Sequence, residues 1–489
     1  MKEKNVVITS ALRTAIGTFN GGLKNMQAHD LGSIAIKENI KNSKLKPDEI
    51  DEVIMGQVLT SASGQNPARR AAIQAGVPIE KTAHVINQVC GSGLRSVASG
   101  YQSIISDDSK IVIAGGQESM TNAPHAIYLR NGNKLEKENL IDTMIKDGLW
   151  DAFNGYHMGV TAENVANKWQ ITRKDQDDFA FSSQNKTEKA QKEGKFKNEI
   201  IPIILKEKNN ENLFEIDEHP RAGMTLEKLE KLKPSFKNDG TVTPGNASGI
   251  NDGAAAVVLM SQNEAKKRKL NPLGKIVSWA TCGVEPSLMG SGPIPASKKA
   301  LKKAGWKIDD LDLIESNEAF AAQSLAVIKE LGIPKEKINV NGGAIALGHP
   351  IGASGTRVLV TLLHEMKKRE AKKEVFRLSS LPFFYGWIIV AVAGLTHFSS
   401  APGQTYVVSI FLDSMIQELD WTRTLFSGMY TAGSLVAAAF MILVGKVLDK
   451  FGSRRTLVVL CVLMGLACIW MSDVNTPWQL LFGFAALRA

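Results

Sequence analysis

The chain has 489 residues, 44% of them hydrophobic, and a formal net charge of +9, which is long enough for two to four domains. The charge is unevenly spread: residues 1–373 hold 51 Lys+Arg and 43 Asp+Glu, whereas residues 374–489 hold only 7 and 6. This division excludes a uniformly water-soluble chain and a wholly membrane-embedded one, because the front reads as globular and the back as lipid-facing.

In chain order, a short strand at 6–8 opens an alternation of apolar runs with longer helical patterns, as in layered α/β proteins. Further strands are predicted at 51–55, 84–86, 110–114, 254–260, 275–279 and 311–315, and helices at 31–42, 93–105, 173–193, 296–304, 319–331 and 355–369. A faint repeat relates Lys46-Pro47-Asp48-Glu49-Ile50-Asp51-Glu52-Val53-Ile54 to Lys307-Ile308-Asp309-Asp310-Leu311-Asp312-Leu313-Ile314. Chance similarity of short helix–strand pieces is one explanation; a duplicated fold with its site between the halves explains more. Residues 121–243 interrupt the pattern as a loop domain.

From Phe383 the texture changes. Residues 385–411 are apolar but broken at Ser399-Ser400-Ala401-Pro402-Gly403; 425–445 run 21 residues without a charge, and 456–471 a further 16. Three such stretches in succession read as membrane spans, with buried soluble helices as the alternative. The turn from Gly445 to Arg455 carries four of the tail's seven positive charges, which places it on the cytoplasmic side.

Two glycine-lined turns hold reactive side chains. In Asn87-Gln88-Val89-Cys90-Gly91-Ser92-Gly93 the cysteine precedes an apolar helix, whose dipole is expected to lower the thiol pKa. In Asn339 to Arg357, five glycines surround His349, and Pro350 keeps the histidine out of helical conformation. Read alone, each residue is more often structural than catalytic. The four cysteines, at 90, 282, 461 and 468, include no CxxC pair, which argues against a disulfide framework or a structural zinc site, and no metal site is expected. The lysine excess reads as a solvated surface or as attraction for an anionic ligand, and no nucleic-acid motif accompanies it. The start of the chain shows no secretory signal, so a cytoplasmic front is expected. Gly115-Gly116-Gln117-Glu118-Ser119-Met120 lacks GxGxxG spacing and is discounted as a dinucleotide loop.

Together the two turns resemble the signatures of the thiolase family over residues 1–373. The resemblance implies a five-layer αβαβα fold with duplicated halves: an N-terminal half 1–120 with 244–268, a coenzyme A-binding loop domain 121–243, and a C-terminal half 269–373. It implies an acetyl-CoA C-acetyltransferase that condenses two acetyl-CoA to acetoacetyl-CoA, or runs the reverse, with coenzyme A thioesters as substrates and no other cofactor. By the same resemblance Cys90 takes the acyl group, His349 activates it and helps hold the thioester oxygen, and Asn317 orients a water toward that oxygen. Ser248 matches a contact to the pantetheine arm. His157 and Met158 belong to a segment like the acyl pocket, Arg221 lies near the nucleotide end, and Ala319 and Phe320 follow Asn317 into the substrate region. A homo-oligomer, dimer or tetramer, is implied.

The family also uses a second cysteine as base, on a glycine-rich hairpin about thirty residues after the histidine. Here that region reads Lys373-Glu374-Val375-Phe376-Arg377-Leu378-Ser379-Ser380-Leu381-Pro382, and a serine hydroxyl is too weakly acidic to substitute. Impaired turnover is therefore expected, and the switch near Lys373/Glu374 reads as a junction of two unrelated genes. The loop at 445–455 resembles one in major facilitator transporters. Residues 374–489 are accordingly expected to be a truncated all-α transmembrane segment in contact with a lipid bilayer. A transporter fragment, or a thiolase fold that binds acyl-CoA without turnover, are the alternative functions.

Overall fold

The β-branched runs of the front part become strands because each alternates two apolar faces, and each face finds a layer of helices. The computed structural model describes residues 5–130, 132, 140–207, 210–369 and scattered positions among 421–437 and 476–482. The chain divides into two units, Met1–Ala371 and Lys372–Ala489. The expected spans at 385–411 and 456–471 lie outside the described residues, and the one at 425–445 is described only in part. Among the described residues, no helix is long and apolar enough to cross a membrane.

Five long strands form the main sheet: β1 (Val6–Thr14), β2 (Glu52–Gly56), β3 (Thr82–Ile86), β4 (Ile111–Ser119) and β5 (Asn251–Ser261). Their order is β1-β5-β4-β2-β3, with two-residue strands added at Ile200–Ile201 and Gly274–Lys275 on β1 and Gly17–Thr18 on β5. β5 is antiparallel to both β1 and β4, while β2 runs parallel to β4 and to β3. The long return from β4 to β5 spans the interrupting segment 121–243, so sheet order and sequence order part company there.

One face of β5, Ala254, Ala256, Val258 and Met260, packs on helices α1 (Ala28–Asn42) and α2 (Pro67–Gln74). The other face, Ala255, Val257 and Leu259, packs on α3 (Ser92–Ile105) and on a helix from the far end of the unit, Ser354–Lys368. Two further helices of the interrupting segment are α4 (Met158–Trp169) and α5 (Arg173–Lys192). The latter opens on a capping box in which Thr172 accepts from Asp175 N and Asp175 accepts from Thr172 N. Then follow α6 (Pro293–Ala304), α7 (Ala321–Leu331) and α8 (Ser354–Lys368).

Helices α3 and α8 touch through their first turns. A Cβ on Gly93 would sit 2.8 Å from Thr356 N, and one on Gly355 would sit 2.4 Å from Leu94 N. Only glycine permits this approach. Thr356 Oγ1 then donates to Gly93 O at 2.8 Å.

The repeat between the halves is visible in detail. Lys46 N donates to Glu49 at 2.7 Å, and Lys307 N donates to Asp310 at 2.8 Å, so the same cap opens a short helical turn in each half. The second-half strands expected at 275–279 and 311–315 are not found as strands. Only Gly274–Lys275 pairs, and it pairs with β1 of the first half; the later stretch keeps a single parallel bridge, Ile314 to Ile338. A strand is stabilised by its neighbours, and among the described residues these two stretches lack them.

Candidate active site

Cys90 lies between β3 and α3, in a turn fixed by its own backbone. Gly91 N donates to Gln88 O at 3.0 Å, and Ser92 Oγ accepts from Gln88 N at 2.8 Å while donating to Val89 O. Val89 sits at φ +47°, a costly conformation for a β-branched residue. At the end of β2, a Cβ on Gly56 would sit 2.5 Å from the Ser92 carbonyl carbon, so this glycine lets α3 start directly over the sheet. The thiol packs against Val58, Leu59, Met120, Met144 and Ile351.

His349 reaches the same place from the other half of the unit. Its Nε2 is 3.2 Å from Cys90 Sγ and its Nδ1 is 2.6 Å from Ser354 Oγ, which itself donates to Pro350 O at 2.9 Å. Since the serine proton is committed to Pro350, Nδ1 carries the imidazole proton and donates to Ser354. Nε2 is left with its lone pair toward the thiol. Asn317 Nδ2 also approaches Nε2, at 3.3 Å, and the buried Asn317 Oδ1 has no hydrogen-bond partner among the described residues.

The turn that carries His349 is anchored almost wholly on the first half. Asn251, at the start of β5, accepts from His349 N at 2.9 Å and donates to Gly17 O. Glu118 on β4 accepts from Gly352 N at 2.9 Å and from Val58 N and Leu59 N, tying the histidine turn to the wall beside Cys90. A Cβ on Gly116 would meet Gly352 O at 2.2 Å. The Gly115–Glu118 stretch is thus buried strand whose glycines admit the histidine turn.

The expected lowering of the Cys90 pKa is not found. Burial pushes the thiol up to about 12, outweighing a backbone hydrogen bond that favours the thiolate, and nearby Glu118 adds to the rise. Burial, helped by the Arg357 charge, pulls His349 down to about 3. The resting pair is therefore neutral thiol and neutral imidazole. Glu118 is itself pushed up to about 7, mainly by burial, against the three amides that favour its charge.

The remaining predicted residues lie on the surrounding loops. Ser248 Oγ donates to Ala319 O at 2.9 Å, which joins that serine to the Ala319–Phe320 segment. The His157 ring stacks on Phe236 at 4.7 Å, and Phe236 meets Phe320 edge-on at 6.4 Å; Met158 begins α4 beside it. Arg221 is exposed, with its backbone N bonded to Gln184. Among the described residues no hydrogen bond, ion pair or ring contact links Ser248, His157 or Arg221 to the Cys90–His349 pair. Beside Arg221, His219 is pulled down to about 4 by burial and by the arginine charge. Ser354, Asn251 and Glu118 carry the site without having been predicted for it. Ser354, first residue of its helix like Ser92, had a signal in the parallel Ser92-Gly93 and Ser354-Gly355 pairs; the other two had none. Among the described residues no group of three or more His, Cys, Asp or Glu is placed to hold a metal ion.

Comparison with known proteins agrees with this architecture. Residues 6–263 match the thiolase N-terminal domain, residues 270–380 the thiolase C-terminal domain, and residues 351–489 the Major Facilitator Superfamily. An acetyl-CoA acetyltransferase of Rhizobium meliloti is 58% identical over 373 residues, which covers 76% of this chain and 95% of the relative. The cytosolic acetyl-CoA acetyltransferase of Mus musculus is 55% identical over 365 residues, covering 74% and 92%. The crystal structure of the Bacillus anthracis acetyl-CoA acetyltransferase superposes with a TM-score of 0.73 at 45% identity, covering 75% of this chain and 93% of that one. With a cysteine turn and a histidine turn meeting at 3.2 Å on this sheet, and with relatives of that identity, the chain belongs to the thiolase family.

Proposed function

We propose that residues 1–373 carry the chemistry of an acetyl-CoA C-acetyltransferase, and that they complete its first half-reaction. The observation that carries this reading is the 3.2 Å approach of His349 Nε2 to Cys90 Sγ, with Nδ1 anchored on Ser354. Cys90 Sγ attacks the acetyl-CoA carbonyl as Nε2 takes its proton. The tetrahedral intermediate expels the coenzyme A sulfur, which receives that proton from the imidazolium, and acetyl-Cys90 remains. Because both partners rest neutral, ion-pair formation coincides with attack. Asn317, with its unpaired Oδ1, orients a water toward the thioester oxygen, and His349 helps hold the same oxygen while its Nε2 carries the proton taken from Cys90.

Ser248, Ala319, Phe320, His157 and Met158 line the pantetheine and acyl path, and Arg221 serves the nucleotide end. Acetyl-CoA, acetoacetyl-CoA and coenzyme A are the partners, and the thiol–imidazole chemistry calls for no resident cofactor. The second half-reaction needs a base for the second acetyl-CoA. The sequence has no cysteine between positions 283 and 460, and loss of a general base costs about 10²–10⁴ in rate. The chain therefore stalls largely as acetyl-Cys90, an acyl-CoA-binding fold with little turnover.

The five-layer αβαβα arrangement belongs to the form in which the second sheet is completed, and the thiolase part assembles as a dimer or tetramer in the cytoplasm. The match of residues 351–489 to the Major Facilitator Superfamily favours a second reading of the tail. It forms transporter-like transmembrane helices that hold the chain at a bilayer. Long reads of source DNA and transcript across Lys373/Glu374 test that arrangement; an uninterrupted thiolase frame there would remove it.

Incubation with radiolabelled acetyl-CoA, followed by mass spectrometry, tests the chemistry. Label is expected on Cys90 with little acetoacetyl-CoA, none in Cys90→Ala, and slower labelling by about 10²–10⁴ in His349→Gln. Undiminished label in Cys90→Ala overturns the assignment.

A further inference from the structure

We propose that Glu118 is a positioning residue for acyl transfer: its buried carboxylate clamps the His349 turn of the second half to the wall behind Cys90 in the first, and so fixes the reach of imidazole to thiol. The role rests on acyl transfer by Cys90 and His349, and it adds a group that no step of that chemistry uses.

The clamp is a single atom. Glu118 Oε2 accepts from Val58 N at 3.0 Å and from Gly352 N at 2.9 Å, while Oε1 accepts from Leu59 N at 3.2 Å. Val58, Leu59 and Ile351, the residue before Gly352, lie in one apolar cluster with Cys90. A Cβ on Gly148 would sit 2.9 Å from Ile351 Cδ1 and 3.2 Å from Leu59 Cδ2, so the two halves meet side by side in that wall. The carboxylate also has a seat that only glycine provides: a Cβ on Gly352 would lie 2.7 Å from Glu118 Oε2 and 2.8 Å from Gln57 Cα. From the neighbouring position on β4, Gln117 Nε2 donates to Gln57 Oε1, and Gln57 Nε2 to Leu59 O, both at 2.8 Å. The wall is thus braced by the same strand that holds the turn.

A plain packing contact would not need a charge at this place. Glu118 is 0% exposed, and among the described residues three amides and no cation favour its ionised form. Burying such a carboxylate is costly. Asp252 on β5, equally buried, adds a second negative charge beside it, with Oδ1 accepting from Thr121 N at 2.9 Å and Oδ2 unpartnered. What a carboxylate supplies is acceptor capacity on both oxygens, as three converging N–H groups require. A glutamine of the same shape would turn an NH2 group toward one of them. The same charge opposes a resting thiolate at Cys90, so the thiol keeps its proton until His349 Nε2 takes it.

The test uses the full chain in detergent, with Glu118→Gln and Gly352→Ala, the second of which pushes the turn off the carboxylate and keeps the charge. In both, the limiting single-turnover rate of Cys90 acetylation is expected to fall by about 10- to 100-fold, while the acetyl-CoA concentration giving half that rate stays within about twofold. Hydrogen exchange at 57–59 and 351–353 is expected to quicken together by at least about tenfold, with β1 unchanged. Iodoacetamide alkylation of Cys90 at about pH 8.5 is expected to move the opposite way from acetylation in Glu118→Gln, rising at least about threefold, and not to rise in Gly352→Ala. Acetylation of Glu118→Gln at the wild-type rate overturns the proposal. So does a loss that appears only in the half-saturating concentration, or exchange that quickens in neither segment. If Glu118→Gln does not fold, Gly352→Ala decides by the same rates. Absence of acetyl label on wild-type Cys90 overturns the acyl-transfer reading instead, and the clamp is then decided by exchange and alkylation alone.

Discussion

The two halves of the thiolase unit begin from one plan and end differently. In the first, β1, β2, β4 and β5 are buried and mutually paired, with helices on both faces. In the second, among the described residues, 275–279 pairs only at Lys275, with β1, 311–315 only through the bridge of Ile314 to Ile338, and both stay part-exposed. What separates them is neighbours: a strand needs a partner at pairing distance more than it needs β propensity. Yet the histidine turn of the second half is well held. His349 and Gly352 are bonded to Asn251 and Glu118 of the first half, and Thr356 to Gly93. The His349 turn is therefore held largely by the sheet of the first half.

The comparison can be broken most sharply by stability. Ile8 is 2% exposed in β1, and Ile8→Ala is expected to cost about 2–5 kcal/mol in urea unfolding. Val277→Ala, in the corresponding stretch of the second half, should stay within about 0.5 kcal/mol. Equal losses would mean that 275–279 is packed as a strand in solution. A smaller effect sharpens the claim that the first half holds the histidine. Asn251→Ala leaves His349 N and Gly17 O without their partner, a penalty of about 1–3 kcal/mol. Acylation of Cys90 is expected to fall with it by roughly tenfold or more, since the turn is no longer fixed. Unchanged acylation kinetics in that variant would show that the second half positions its own catalytic turn.

Much of this was legible from sequence where local signals and tertiary packing agree. The helix after Cys90, the helix over 173–193 and the strand over 254–260 all carry their own pattern. The stretches 275–279 and 311–315 carry strand composition too, and misled because their partners are not a property of those residues. Asn251 and Glu118 meet the histidine turn from 98 and 234 residues away. Their role comes from fold topology, and neither has a local motif. The sign of the Cys90 shift was misread for a related reason. A helix N-terminus can be seen in a sequence; the apolar wall of Val58, Leu59, Met120, Met144 and Ile351 cannot.

That wall gives the last prediction, in which the nucleophile's own environment is the readout. A thiol held up to about 12 is almost wholly protonated throughout the neutral range, so its thiolate fraction rises about tenfold for each pH unit. The imidazole, held down to about 3, stays neutral over the same range and adds no second inflection. Alkylation of Cys90 by iodoacetamide, read at that peptide by mass spectrometry, should therefore climb with unit slope from about pH 6 to pH 9 without a plateau. Exposed Cys thiols of ordinary pKa, near 8.5, would level off at the top of that window. A plateau below pH 8 would mean that the helix start and His349 stabilise a thiolate at rest. It would also mean that the first half contributes a thiolate, where burial of both groups points to a neutral thiol and a neutral imidazole.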